Sequence, residues 1–106
     1  GGRRPSMIQA GVYASMIHYM KAVRAAGTTD GLTVVAKMKE LPADDPLFGR
    51  GSIRADGRTL HDMYLFQVKT PAESKGPWDY YKLIATTPAA EAFRPLSDGG
   101  CPLVKG

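Results

Sequence analysis

The sequence predicts an α/β chain, with two helices at the N-terminal end followed by a hairpin and a further strand. Two observations carry that assignment. Apolar residues recur at three- and four-residue steps from Ile8 to Val23 and again from Leu32 to Leu41, the period of an amphipathic helix. Between Met63 and Val68 the period becomes two, and both alternating sets are apolar: Tyr64, Phe66 and Val68 on one side, Met63 and Leu65 on the other. A strand apolar on both faces is one covered on both sides, as in the interior of an α/β sheet. Such a strand cannot stand alone. Its neighbours must come from this chain, from a second copy or from a larger protein.

The first helix is expected over residues 7–26. Ser6 followed three residues later by Gln9 matches a capping box, in which each side chain satisfies the other's backbone N–H. Ile8, Val12, Tyr13, Met16, Ile17, Met20 and Val23 form its apolar stripe, with Ser15, His18, Lys21 and Arg24 on the opposite, polar face. Gly27 is placed to end the helix in the left-handed conformation. Gly11 inside it costs about 1 kcal/mol relative to Ala, so close approach of another backbone or of a ligand is expected there. The second helix opens at Thr29 or Asp30, turns Leu32, Val35, Met38 and Leu41 inward, and stops at Pro42. Residues 43–49 read as loop, with Asp44, Asp45 and Pro46 initiating a turn and Leu47 and Phe48 as an apolar anchor.

Residues 51–69 then read as two extended arms joined at Asp56 and Gly57, which can take the positive-φ positions of a type I′ or related turn. The second arm is expected to run unbroken through His61 to Lys69. A Pro- and Gly-rich loop over 70–79 leads to a second strand over 80–86, ended by Pro88. The tail offers one helical turn through Phe93, then Pro95, Gly99, Gly100 and Pro102, and is not expected to hold itself together.

Composition bounds the function. At 106 residues, 43% hydrophobic and 23% charged, the chain is at most one soluble domain. No apolar run approaches the roughly 20 residues needed to span a bilayer. No basic-plus-apolar leader precedes Ser6, so any export signal is expected outside this sequence, and GGRRPS reads as an interior cut or tag remnant. The net charge of +4 is spread along the chain, with no basic run longer than Arg3 and Arg4. A nucleic-acid footprint would be clustered. No nucleic-acid partner is therefore expected, and the aromatic residues are read as sheet filling.

No catalytic apparatus emerges either. His61 and Asp62 are adjacent, but neighbours on a strand point to opposite sides, and only His18 remains as a further histidine. Cys101 stands alone in a Gly- and Pro-rich tail with nothing to lower its pKa, which leaves it free or paired outside this chain. No Gly-rich phosphate loop precedes a helix. Neither metal nor cofactor is expected, and the chain is read as no enzyme.

Three stretches, taken in order, carry a resemblance: PSMIQAGVYASMIHYMKAVRAAGT, GSIRADGRTLHDMYLFQVKTPAESKGPWDYYKLIATTP and EAFRPLSDGGCPLVKG. Together they resemble the C-terminal quarter to third of a periplasmic solute-binding protein of an ABC importer, of the leucine/isoleucine/valine-binding type. The similarity spans almost the whole chain. It implies two α/β lobes closing on a small solute, with this chain supplying residues 1–50 to the helical part of the N-terminal lobe. Residues 51–62 would be an interlobe crossing and 63–106 the end of the C-terminal lobe. It further implies a periplasmic location, an ABC permease as partner, and an amino acid, aromatic acid or amide as solute. The loop entering the first helix, with Met7, Gln9 and Tyr13, would then lie near the solute cleft. A self-standing interaction module, including a strand-exchanged dimer, is the alternative. In either case Met63–Val68, apolar on both sides and without a Pro, is expected to pair with a second copy when nothing else covers it.

Overall fold

The computed structural model describes residues 3–102 and Val104. Helix α1 (Met7–Ala26) begins at Ser6, whose hydroxyl accepts from the Gln9 backbone N–H at 3.4 Å. The Gln9 side-chain oxygen accepts in return from the Ser6 N–H at 2.8 Å, completing the expected capping box. Gly27, at φ +66°, ends the helix in the left-handed region. Helix α2 (Gly31–Glu40) is capped by Asp30, whose Oδ1 accepts from Thr33 N–H and Oγ1–H. Those two bonds hold the Asp30 carboxyl below its ordinary pKa, the side-chain hydroxyl contributing most.

The helices pack through faces other than those the apolar periodicity suggested. Among the described residues Ala22 and Val34 are the buried apolar ones, and His18, expected on the polar face, is buried with them at 5% exposure. The stripe of Ile8, Val12, Met16 and Met20 is turned outward instead, as are Leu32 and Val35. The reason is geometric. Ala14, His18 and Ala22 recur every four residues, and small side chains let α2 approach closely, whereas the larger stripe finds no partner among the described residues. His18 is tolerated inside because it is needed there. Pro42 stands four residues after Met38 and has no N–H, so the Met38 carbonyl has no helical donor. The His18 Nε2 reaches that carbonyl at 2.8 Å.

After α2 the chain forms a three-stranded antiparallel sheet in the order β1 (Ala43–Asp45), β2 (Gly49–Ile53), β3 (Thr59–Leu60). Residues 43–45 are thus strand where loop was expected, paired Ala43 to Gly51 and Asp45 to Gly49. The turn between them is initiated by Asp45, which accepts from Leu47 N–H and Phe48 N–H. Gly51 is required for space: a Cβ there would sit 2.6 Å from the Leu60 carbonyl oxygen.

The turn between β2 and β3 departs from type I′. Only Gly57, at φ +83°, is left-handed; Asp56 is not. Gly57 N–H bonds to Arg54 O at 2.8 Å and Arg54 N–H to Arg58 O at 2.9 Å, the pattern of a three-residue loop with a bulge glycine. Asp56 instead uses its side chain, gripping Arg54 Nε and Nη2 at 3.0 and 2.7 Å.

The expected long arm is also broken. β3 ends at Leu60, His61 and Asp62 form a two-residue joint, and β4 (Met63–Val68) starts a separate sheet with β5 (Tyr81–Thr87). β4 and β5 pair antiparallel from Met63–Thr87 to Val68–Tyr81, with a shift in register between Leu65 and Phe66. The intervening loop is drawn together by Asp79, which accepts from Lys69 Nζ at 2.6 Å and from Lys75 N–H at 2.9 Å. The tail is more ordered than expected, with a short helix α3 (Ala89–Ala92) and a 3-10 turn at Leu96–Gly99.

Every residue of β4 and β5 is exposed. The Cα radius of gyration is 17.2 Å, against about 13 Å for a compact domain of 100 residues. The two-sided apolar strand is thus present, but its cover is not among the described residues. None of the described helices is long and apolar enough to cross a membrane.

Candidate functional site

An open cleft of about 1400 Å³ lies between the helical part and the β4–β5 pair. α1 forms one wall with Met7, Gly11, Ser15 and His18; Met63, Tyr64 and Phe66 of β4 form the other. Residues of the β2–β3 turn and of the joint, among them Arg54, Asp56 and His61, lie at its base, and Phe93 and Cys101 come in from the tail. Apart from its chain neighbours and the backbone of its own helix, no atom of the described residues stands within 4 Å of where a Gly11 Cβ would lie. The glycine that should be disfavoured inside a helix therefore opens onto this cleft rather than onto a neighbouring backbone.

The three residues expected near the cleft divide between two concavities. Met7, 83% exposed, faces the large one. Gln9 and Tyr13 share a shallower groove with Pro46 and Leu47 on the other side of α1. Helical geometry explains the split, because positions two apart are neighbours on no face while Gln9 and Tyr13, four apart, share one. The Gln9 side-chain oxygen is already engaged by the helix cap.

At the base of the cleft Arg54 and Asp56 are engaged with each other. The Arg54 guanidinium holds the Asp56 carboxyl down to about 2, chiefly through the paired side-chain hydrogen bonds. The same guanidinium donates from Nη1 to Arg94 O at 3.0 Å. His61 and Asp62 take separate structural roles. The His61 ring lies 5.0 Å from the Phe48 ring and 6.0 Å from that of Phe93. The Asp62 carboxylate accepts from Ala89 N–H at 2.9 Å, at the start of α3. Among the described residues no group of three or more His, Cys, Asp or Glu is placed to hold a metal ion.

Sequence reading missed the inward position of His18 and the Arg54–Asp56 pair. A signal existed for each: a proline four residues beyond a helical carbonyl, and an Arg-x-Asp spacing across a turn. The docking of Phe93 had none, since it joins residues 30 or more apart.

The sequence model of the periplasmic binding protein family matches residues 1–77, and the chain belongs to that family, which is one of binding proteins and not of enzymes. The crystal structure of a periplasmic binding protein from Burkholderia mallei superposes with a TM-score of 0.91 at 48% identity, covering 97% of this chain and 27% of its own. That of a branched chain amino acid ABC transporter periplasmic ligand-binding protein from Burkholderia xenovorans gives 0.89 at 41% identity, covering 96% and 27%. This chain therefore spans about a quarter of the length of those proteins. A comparison with curated proteins gave no match.

Proposed function

We propose that the chain is the part of an extracellular solute receptor that carries a lobe-to-lobe crossing, and that the receptor hands a small solute to an ABC importer. The observation that carries this reading is the open cleft, walled by α1 on one side and β4 on the other, with the connecting chain at its base. A receptor that closes on a solute needs two walls and a connection between them that can bend. The likeness to a branched chain amino acid ligand-binding protein supports an amino acid, aromatic acid or amide as the solute class, an ABC permease as partner and the periplasm as location.

In this reading residues 1–50 belong to the N-terminal lobe, 51–62 to the crossing and 63–106 to the end of the C-terminal lobe. Met7 lines the solute cleft directly, while Gln9 and Tyr13 border it from the far side of the helix start. The polypeptide encoded by the whole reading frame should be titrated calorimetrically with leucine, phenylacetate and acetamide. Saturable binding of one class, weakened by Met7→Ala, supports the reading. Binding of none of them, by a protein that melts cooperatively, overturns it. Most of a solute's contacts would come from polypeptide beyond these residues, so the 106-residue chain alone should show no measurable affinity for free amino acids.

A further inference from the structure

The two-residue joint between the sheets is held at both positions by the tail. His61 presents its ring to the edge of Phe93, at 6.0 Å between centroids and 77° between planes. Asp62 next to it accepts the Ala89 N–H, so a carboxylate sits at the first turn of α3. Two further contacts tie the same tail segment to the β2–β3 turn: the Arg54 bond to Arg94 O, and the Arg58 guanidinium 5.7 Å above the Phe93 ring. The chain passes between the two sheets once at His61 and Asp62, and returns from β5 through residues 88–94.

We propose that residues 88–94 are a strap that locks these two passes into a single joint and so sets the angle between the cleft walls. A two-residue connection by itself leaves four soft backbone torsions and little to oppose rotation. Fixing the side chains on both sides of that connection removes this freedom. Phe93 is the centre of the device, because it touches the joint through His61 and the turn through Arg58. Asp62 and Arg54 act as positioning residues at its two ends. The consequence for solute capture rests on the receptor reading above: closing the cleft must either bend the joint with the strap attached or release the strap. The strap itself does not depend on that reading.

Spin labels at Arg24→Cys and Lys75→Cys in a Cys101→Ser background report the angle between the walls without any solute. Phe93→Ala should broaden the distance distribution, and amide exchange at residues 61–63 should rise roughly tenfold while that of α1 stays unchanged. Phe93→Leu, which keeps apolar volume but loses the ring contacts, should do the same more weakly and guards against a variant that merely unfolds. Asp62→Ala, which removes the acceptor of the Ala89 N–H, should release the α3 end alone. Distributions and exchange identical to the parent in Phe93→Ala and Phe93→Leu would overturn the strap. Such a failure leaves the receptor reading untouched, and absence of solute binding leaves the strap untouched.

Discussion

His18 shows how one side chain can settle the packing of two helices. Its Nε2 meets the carbonyl that Pro42 leaves without a donor, so the ring carries its proton on Nε2 and the pairing of α1 with α2 is registered at one point. The Nδ1 atom is buried without a partner among the described residues, which makes the site polar on one side and lightly used on the other. Replacing His18 by Phe keeps the ring volume and removes the donor. The Met38 carbonyl is then left unsatisfied, and the chain should lose about 1–3 kcal/mol in denaturant unfolding. An unfolding midpoint equal to the parent's would show that the bond contributes nothing. Periodicity hid this residue, because a histidine among Ser15, Lys21 and Arg24 reads as solvated. Its inward position follows from a proline just beyond the end of the other helix, which no local pattern connects to it.

At the scale of elements, the boundaries of α1 and α2 were legible because caps are local: Ser6 and Gln9, Gly27, Asp30 and Pro42 each act within four residues of the end they set. The hairpin of β2 with β3 and the strand character of β4 and β5 were legible, but β1 and the break that pairs β4 with β5 were not. Ala43–Asp45 is too short and acidic to read as strand, and is one only because β2 lies beside it. The β2–β3 pair depends on two features that can be tested apart. In Gly51→Ala the new Cβ would press on the Leu60 carbonyl, so β2 and β3 must separate, seen as lost exchange protection at Ser52 and Leu60 with α1 unaffected. The turn depends on Asp56, whose carboxyl lies at about 2 in the fold against an ordinary 3.8. A depressed carboxyl stabilises above its unfolded value and ceases to do so as pH falls through its folded one. The turn should therefore loosen between 3.8 and about 2. In Asp56→Asn the amides of residues 54–58 should be less protected at neutral pH and show no such acid step; an unchanged step would assign it to another group.

For the whole molecule, the two-sided apolar strand was the most informative stretch of the sequence, since it demanded cover that the described residues do not supply. The cleft itself was not legible, because its walls come from segments about 50 residues apart and its base from a break in what looked like one strand. The uncovered surface has a physical outcome. Phe66, Leu65 and Val68 of β4 are 52–70% exposed, and Tyr81, Leu83 and Ile84 of β5 are 51–62% exposed. A two-stranded sheet with both faces in water is marginal at best, and its free edges offer unpaired backbone groups to another chain. The isolated chain should therefore associate at micromolar concentration through β4 and β5, and the dimer should protect the amides of Met63–Val68 from exchange. Phe66→Lys places a charge where the faces would meet, and should shift the chain toward monomer while α1 keeps its helical signal. Light scattering showing a monomer of unchanged protection at high concentration would defeat this expectation. It would mean that the contact of Tyr64 with Phe66 along β4 and the cross-strand contact of Phe66 with Tyr81, with ring centroids 6.2 and 6.1 Å apart, hold the hairpin without any cover at all.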